Sequence, residues 1–375
     1  MKEWNVEICD VTLRDGEQTP GVTFSPEEKC TIARMLDETG VDCIEAGFPA
    51  VSPEEVLAVR RVSAEGLNAR ISCLARATIP DIDAALAADV SMVSIFLATS
   101  RLHIQCKFGI PRSDVLTGAM TVVEYAKDHG LSVRFAAEDA SRTDLPFLLR
   151  VYKECETHHA DMIGFSDTTG CLVPSETADL TREITRTCML PLSIHCHNDL
   201  GCAVANTITA AANGAVQLHT CVNGIGERSG NAALDEVLTI LHYKGGVDRY
   251  DLSRMPGLSA YVAKASGIPV AKSKPLTGTY AFSHESGIHV AAMLEDPATY
   301  EYIPPELLGR SRRFLLGKHS GRRAVEYVLR HQGYTPTTDQ ITWILRQIKE
   351  RSERKCSVTL DTLRELIEVA AKLEK

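Results

Sequence analysis

The chain has 375 residues, 44% of them hydrophobic and 24% charged, with a formal net charge of −9 and a pI near 5.8. That is enough apolar material for one large core and a second region, and the acidic balance excludes nucleic acid or an anionic membrane as the main partner, because both need an extended basic surface. Twelve cysteines without a C-x-x-C pair, an N-terminus with no basic and apolar leader, and no apolar run near the ~20 residues of a bilayer span point to reduced thiols in the cytoplasm and no membrane insertion.

Strand-like and helix-patterned segments alternate from the N-terminus. VEICDVTL (6–13) precedes the helix pattern PEEKCTIARMLDETG (26–40), VDCIEAGFP (41–49) precedes PEEVLAVRRVSAEG (53–66), and ARISCLAR (69–76) precedes IPDIDAALAAD (79–89). VSMVSIFLATS (90–100) leads to a helix from Ser113 to His129, LSVRFAAED (131–139) to one from Leu145 to His158, and DMIGFSDTTG (161–170) to PSETADLTREITRT (174–187). PLSIHCHND (191–199) leads to an Ala-rich helix over 203–213, and AVQLHTCVNG (215–224) to NAALDEVLTILHYK (231–244). Eight such units in about 240 residues predict an α/β fold, a (β/α)8 TIM barrel over residues 1–250. A doubly wound open sheet is the alternative, but its first βα turn would carry a G-x-G-x-x-G that is missing here.

After Tyr250 the rhythm changes. LSRMPGLSAYVAKASG (252–267) reads as a helix, PVAKSKPLTGTYAFSHES (269–286) as a linker, SGIHVAAMLED (286–296) as a short helix, and 337–375 as a helix-rich tail. Residues 251–375 are therefore expected to form a mainly helical C-terminal region, too small for a core as large as the barrel's, that packs on the rim or on the partner of a homodimer.

The most informative motif is His195-Cys196-His197. Side chains two apart on a strand share a face, so two imidazoles project together at a strand's end. In a parallel barrel all the strand ends share one rim, which brings Asp15 from the first strand and Glu45 from the second to the same mouth. Asp15, His195 and His197 make an oxygen and two nitrogens, an open catalytic set for a divalent metal such as Mg²⁺, Mn²⁺, Zn²⁺ or Co²⁺, and Asn231 is a candidate fourth ligand. A single buried histidine is more simply a hydrogen-bonded core residue, and an H-x-H pair alone arises by coincidence in a minority of strands; the accompanying carboxylate and Gly-rich loop favour the metal. Arg14 is placed to stabilise developing negative charge. Glu138 is a general base or a structural partner of Arg14, and Thr168 offers a hydroxyl to a substrate carboxylate. Arg134 lies on the face of Glu138 one layer deeper, where a guanidinium needs a carboxylate from the protein or from a ligand. VNGIGERSGNAAL is either an anion-binding turn or a plain one, and GRSRRFLLGKHSGRR is a solvated face or a receptor for a polyanionic cofactor.

LRDGEQ with Lys29, LSIHCHNDLGCAVA, GFSDTTG, GIGERSGNAAL, FSHESGIHV, PATYE and LGKHSG resemble the motifs of the α-isopropylmalate and homocitrate synthase family, from Val6 to about Arg323. The resemblance implies an acyltransferase that condenses acetyl-CoA with a 2-oxo acid on a metal-bearing barrel. It implies Asp15, His195 and His197 as ligands with Asn231 contributing, Arg14 at the keto oxygen, Thr168 at the acid's carboxylate and Glu138 in the base network. His289 and Tyr300 resemble a pair that the neighbouring subunit inserts over the mouth. Length, the DASRTD run and FSHESGIHV are most similar to the short homocitrate synthases of nitrogen fixation and of methanogens, and Arg134 matches the position used there for the distal carboxylate of 2-oxoglutarate. One departure is Ala136, where a small hydroxyl residue is usual. Isopropylmalate, citramalate and Re-citrate synthesis are the alternatives, followed by a metal-dependent aldolase or lyase and by a non-enzymatic metal-binding barrel.

Overall fold

This computed structural model describes residues 4–372. Eight parallel strands close into a barrel in sequence order: β1 Glu7–Asp10, β2 Cys43–Glu45, β3 Arg70–Arg76, β4 Met92–Ala98, β5 Ser132–Glu138, β6 Met162–Asp167, β7 Leu192–Cys196 and β8 Gln217–Thr220. Closure is made by β1 against β8, with Ile8 opposite Leu218 and Asp10 opposite Thr220. The strands are shorter than the apolar runs that announce them, because the run continues past the last ladder bond into the turn that carries the rim residues.

Local chemistry explains the element boundaries. The helix Pro26–Thr39 starts at Ser25, whose hydroxyl accepts from the Glu28 amide at 3.2 Å while Glu28 accepts from the Ser25 amide at 2.8 Å. It ends at Gly40, where φ is +90°. Within it Lys29 is buried, its ammonium ion-paired with Glu17 at 2.7 Å and Glu55 at 2.6 Å and within 3.4–3.5 Å of the carbonyls of Leu13 and Ala46. Those carbonyls adjoin Arg14 and Glu45, so this lysine ties together the ends of β1 and β2. The helix Pro174–Thr187 has the bounds its pattern predicts. Arg101–Lys107 forms a helix that periodicity did not indicate.

The chain divides into two compact units between Val270 and Ala271, not at residue 250. The helix Met255–Ser266 belongs to the first unit, where Asn223 donates to the Ser259 carbonyl at 2.9 Å. In the second unit Ser283–His284 pairs in parallel with Arg313–Phe314. Four helices, Gly287–Met293, Arg322–His331, Thr338–Glu353 and Leu360–Ala370, complete it. Val325, Leu329, Ile344 and Ile348 are fully buried within it, so this unit has an apolar core of its own. Among the described residues no helix is long and apolar enough to cross a membrane.

Replacing Lys29 by Ala leaves two carboxylates facing each other without their cation. The expected result is a loss of roughly 3 kcal/mol, read as a lower Tm of the barrel unit, whereas an unchanged Tm would remove Lys29 from this structural role.

Candidate active site

β1 ends in a turn in which the Val11 carbonyl accepts from the amides of Arg14, Asp15 and Gly16, turning Asp15 toward the barrel mouth. His195 lies on β7, and His197 just beyond it is bridged to Asn231. The two Nε2 atoms are 3.2 Å apart, and Asp15 Oδ2 lies 3.6 and 3.8 Å from them. All three side chains are buried, and one ligand atom of each falls within 4.8 Å of the others. Burial lowers both histidine pKa values, most strongly at His195, which favours the neutral imidazoles that metal ligation needs. Burial opposes the Asp15 charge, but the Arg14 guanidinium, with a hydrogen bond from Asn231, holds the carboxylate well below the usual range. Two neutral imidazoles and an ionised carboxylate pointing at one another suit a divalent cation better than they suit each other. Asn231 supports this set through its amide nitrogen, 2.7 Å from Asp15 Oδ1, while its own Oδ1 is buried without a partner.

Arg14 is fixed from both sides, to Asp15 Oδ2 at 2.5 Å and to Glu45 Oε2 at 2.6 Å. Its structural partner is thus Glu45, not Glu138. The other oxygen of Glu45 accepts from Arg134 at 2.6 Å. Arg134 is fully buried and also donates to Gln217 at 2.5 Å and to Ser94 at 3.2 Å. Without a ligand its guanidinium is thus held by protein acceptors, and Arg134 is not among the residues that line the cavity.

That cavity, of about 240 Å³, opens at the mouth between Arg14, Asp15, Glu138, Thr168 and the two histidines. Lys107 donates to both oxygens of Glu138, at 2.5 and 2.7 Å, and the His103 ring lies 3.5 Å away. Thr168 Oγ1 accepts from the Asp139 amide at 2.9 Å, leaving its proton to donate. The Gly-rich turn does meet an anion, but a protein one: the Glu227 amide points at Asp15 Oδ1 at 3.3 Å. A Cβ on Gly226 would stand 2.1 Å from Asn231 Nδ2 and 2.6 Å from Asp15 Oδ1, which is why glycine is needed there. His289 and Tyr300 lie in the second unit, their rings stacked at 4.0 Å. Ser94, Lys107 and His219 went unnoticed in the sequence. The signal for His219 was available, since it stands two residues from Gln217 on the inward face of β8.

A family model described as HMGL-like matches residues 5–262, and one described as homocitrate synthase post-HMGL domain-like matches 276–356. Homocitrate synthase AksA of Methanosarcina mazei is 47% identical over 97% of this chain and 90% of its own length. A probable 2-isopropylmalate synthase of Methanopyrus kandleri is 47% identical over 93% of this chain and 70% of its own. The barrel also resembles the crystal structure of the HMG-CoA lyase of Bacillus subtilis, with a TM-score of 0.65 and 20% identity over 72% of this chain and 97% of that one, a likeness of fold.

His195→Ala and Asp15→Asn should each abolish stoichiometric binding of divalent metal, measured by elemental analysis after desalting, while circular dichroism shows the barrel intact. Retained metal in either variant would refute the ligand set. Arg134→Ala strips Glu45 of half its counter-charge, costing about 3 kcal/mol of stability. The accompanying loss of turnover should extend to every 2-oxo acid, because Glu45 also holds Arg14; an unaltered melting curve would contradict this.

Proposed function

Since the chain belongs to the HMGL-like family, and its second region matches the homocitrate synthase post-HMGL domain, we propose that it condenses acetyl-CoA with a 2-oxo acid, and that this acid is 2-oxoglutarate, yielding homocitrate and CoA. The observation that carries the reading is the convergence of Asp15, His195 and His197 with Arg14 at the mouth of one cavity. Relatives named homocitrate synthase, of which this chain covers 90%, favour 2-oxoglutarate.

The reaction removes a proton from the acetyl methyl group, forms a bond from that carbon to C2 of the acid, protonates the former keto oxygen and hydrolyses the thioester. A divalent cation held by Asp15, His195 and His197 supplies Lewis acidity at the keto group. Arg14 supplies a fixed positive charge there that needs no reorganisation, being clamped by Asp15 and Glu45. The Thr168 hydroxyl binds the carboxylate next to the keto group. Glu138, which accepts hydrogen bonds from Lys107, takes part in moving the methyl proton. His289 and Tyr300 reach the mouth from the partner subunit of a homodimer. The twelve cysteines, none joined in a disulfide, favour a reducing cytoplasm.

A second reading, 2-isopropylmalate synthesis, is favoured by the relative of that name at 47% identity. Thiol release from acetyl-CoA with a panel of 2-oxo acids separates the two. The expected result is the highest kcat/KM with 2-oxoglutarate; a preference for 2-oxoisovalerate, pyruvate or oxaloacetate would assign isopropylmalate, citramalate or Re-citrate instead. Cleavage of a hydroxyacyl-CoA without condensation would make it a lyase. For the shared site, mixed Asp15→Asn and His289→Ala subunits should regain activity on exchange, and a mixture that exchanges but stays inactive refutes it.

A further inference from the structure

β5 stops at Glu138, and the next residue, Asp139, turns into the left-handed region with φ +58° and ψ +37° while fully buried. Few residues other than glycine take that backbone, and they keep it where their surroundings over-determine it. Here the surroundings do so from three directions. The Asp139 carboxylate accepts from Ser100 Oγ at 2.5 Å and from Arg142 Nε at 2.8 Å. Its carbonyl accepts from Thr143 Oγ1 at 2.9 Å, and its amide donates to Thr168 Oγ1 at 2.9 Å. One residue thus faces the loops after both neighbouring strands, β6 with its amide and β4 with its carboxylate. On the β4 side, Ser100 caps the helix Arg101–Lys107: its Oγ accepts from the His103 amide at 3.2 Å, and its proton goes to Asp139. The last residue of that helix, Lys107, donates to both oxygens of Glu138.

We infer that Asp139 is a positioning residue that sets two substrate-facing groups at once: Thr168 through its amide, and Glu138 through Ser100 and the helix that carries Lys107. The inference rests on the condensing reaction proposed above, but not on which 2-oxo acid is used. Thr168 meets the carboxylate beside the keto group and Glu138 meets the acetyl methyl group, and both are common to every substrate pair considered. The bond to be made joins that methyl carbon to the keto carbon, so the two protein groups must be held in one geometry. A misplacement of about 1 Å can cost on the order of 100-fold in rate. A single buried carboxylate, bonded on both sides, supplies that common reference without touching either substrate.

The test uses metal-loaded enzyme and the 2-oxo acid that the wild type turns over fastest in the thiol-release panel, with metal content measured for every variant. Asp139→Gly takes the left-handed backbone without strain but has no carboxylate for Ser100. It should lower kcat about 100-fold and raise the isotope effect on kcat/KM with methyl-deuterated acetyl-CoA, because proton transfer becomes slow. The Kd of the 2-oxo acid, measured by calorimetry, should stay within about 3-fold of the wild type, since the amide still reaches Thr168. Ser100→Ala, which removes the donor and leaves the Asp139 backbone alone, should reproduce this pattern. Asp139→Ala resists the left-handed backbone and should also weaken binding of the acid about 10-fold. Asp139→Asn keeps an acceptor and tolerates that backbone, so it should restore most of kcat. If Asp139→Ala does not fold, Asp139→Gly and Ser100→Ala decide. Wild-type kcat and isotope effect in those two variants, with or without a lower Tm, overturn this inference alone. A wild-type enzyme that releases no thiol with any 2-oxo acid overturns the proposed reaction and this inference with it.

Discussion

One carboxylate, Glu45 at the end of β2, stands between two guanidiniums and accepts from each at 2.6 Å, Arg14 at the rim and Arg134 in the barrel interior. Neither arginine could be kept in so dry a place without it, since a buried charge is tolerated only when paired and hydrogen-bonded. With Asp15 on the other side of Arg14, two positive and two negative charges balance before any ligand enters. The balance fixes the protonation of everything near it. Asp15 stays ionised because a cation touches it, and the histidines stay neutral because burial penalises a further positive charge. Both shifts favour the ionisation states in which these side chains would hold a divalent cation.

The same pair separates the barrel interior into two levels with different duties. Above Glu45 the groups are charged, orientable and directed to the mouth. Below it, Arg134 is hydrogen-bonded to Gln217 and to Ser94, and Ser94 in turn lines the cavity. Space between the levels comes from small residues. A Cβ on Gly164 would lie 3.2 Å from the Ala136 Cα, so β5 and β6 approach closely there and neither fills the cavity. Lys29 acts on the outside of this arrangement, binding carbonyls next to Arg14 and Glu45 and so holding the two charged strand ends in register.

The barrel was legible because period-two strands and amphipathic helices alternate with little interruption, and the mouth was legible because strand ends in such a barrel must converge. What periodicity does not contain is the partner of a side chain. It placed Arg134 on the inward face correctly and required a carboxylate for it, but could not show that Glu45 and Gln217 accept from it. His219 was passed over as one histidine within an apolar run, although the same alternation puts it on the inward face. The second unit was underrated for a different reason: its buried Val325, Leu329, Ile344 and Ile348 sit at helical spacing among many charges, which conceals a core from a reading by composition. The boundary fell at 270 because the helix after Tyr250 packs on the barrel unit, a contact that no linker composition announces.

Relatives named for homocitrate and for isopropylmalate stand at the same 47% identity to this chain, so overall similarity does not carry the choice of acid. The chemistry common to these condensations occurs at the keto group and its neighbouring carboxylate, which every 2-oxo acid possesses, and it requires only the mouth. The acids differ beyond C2, and inward residues of several strands line the cavity beneath the rim. Among these are Leu74, Ser94, Phe96, Ala136, Ser166 and His219, which come from five strands. Such a layer can change its substrate by exchanging one or two side chains while the rim, the metal ligands and the Glu45 bridge stay as they are. A family signature therefore announces the reaction clearly and leaves the acid to be read from the floor.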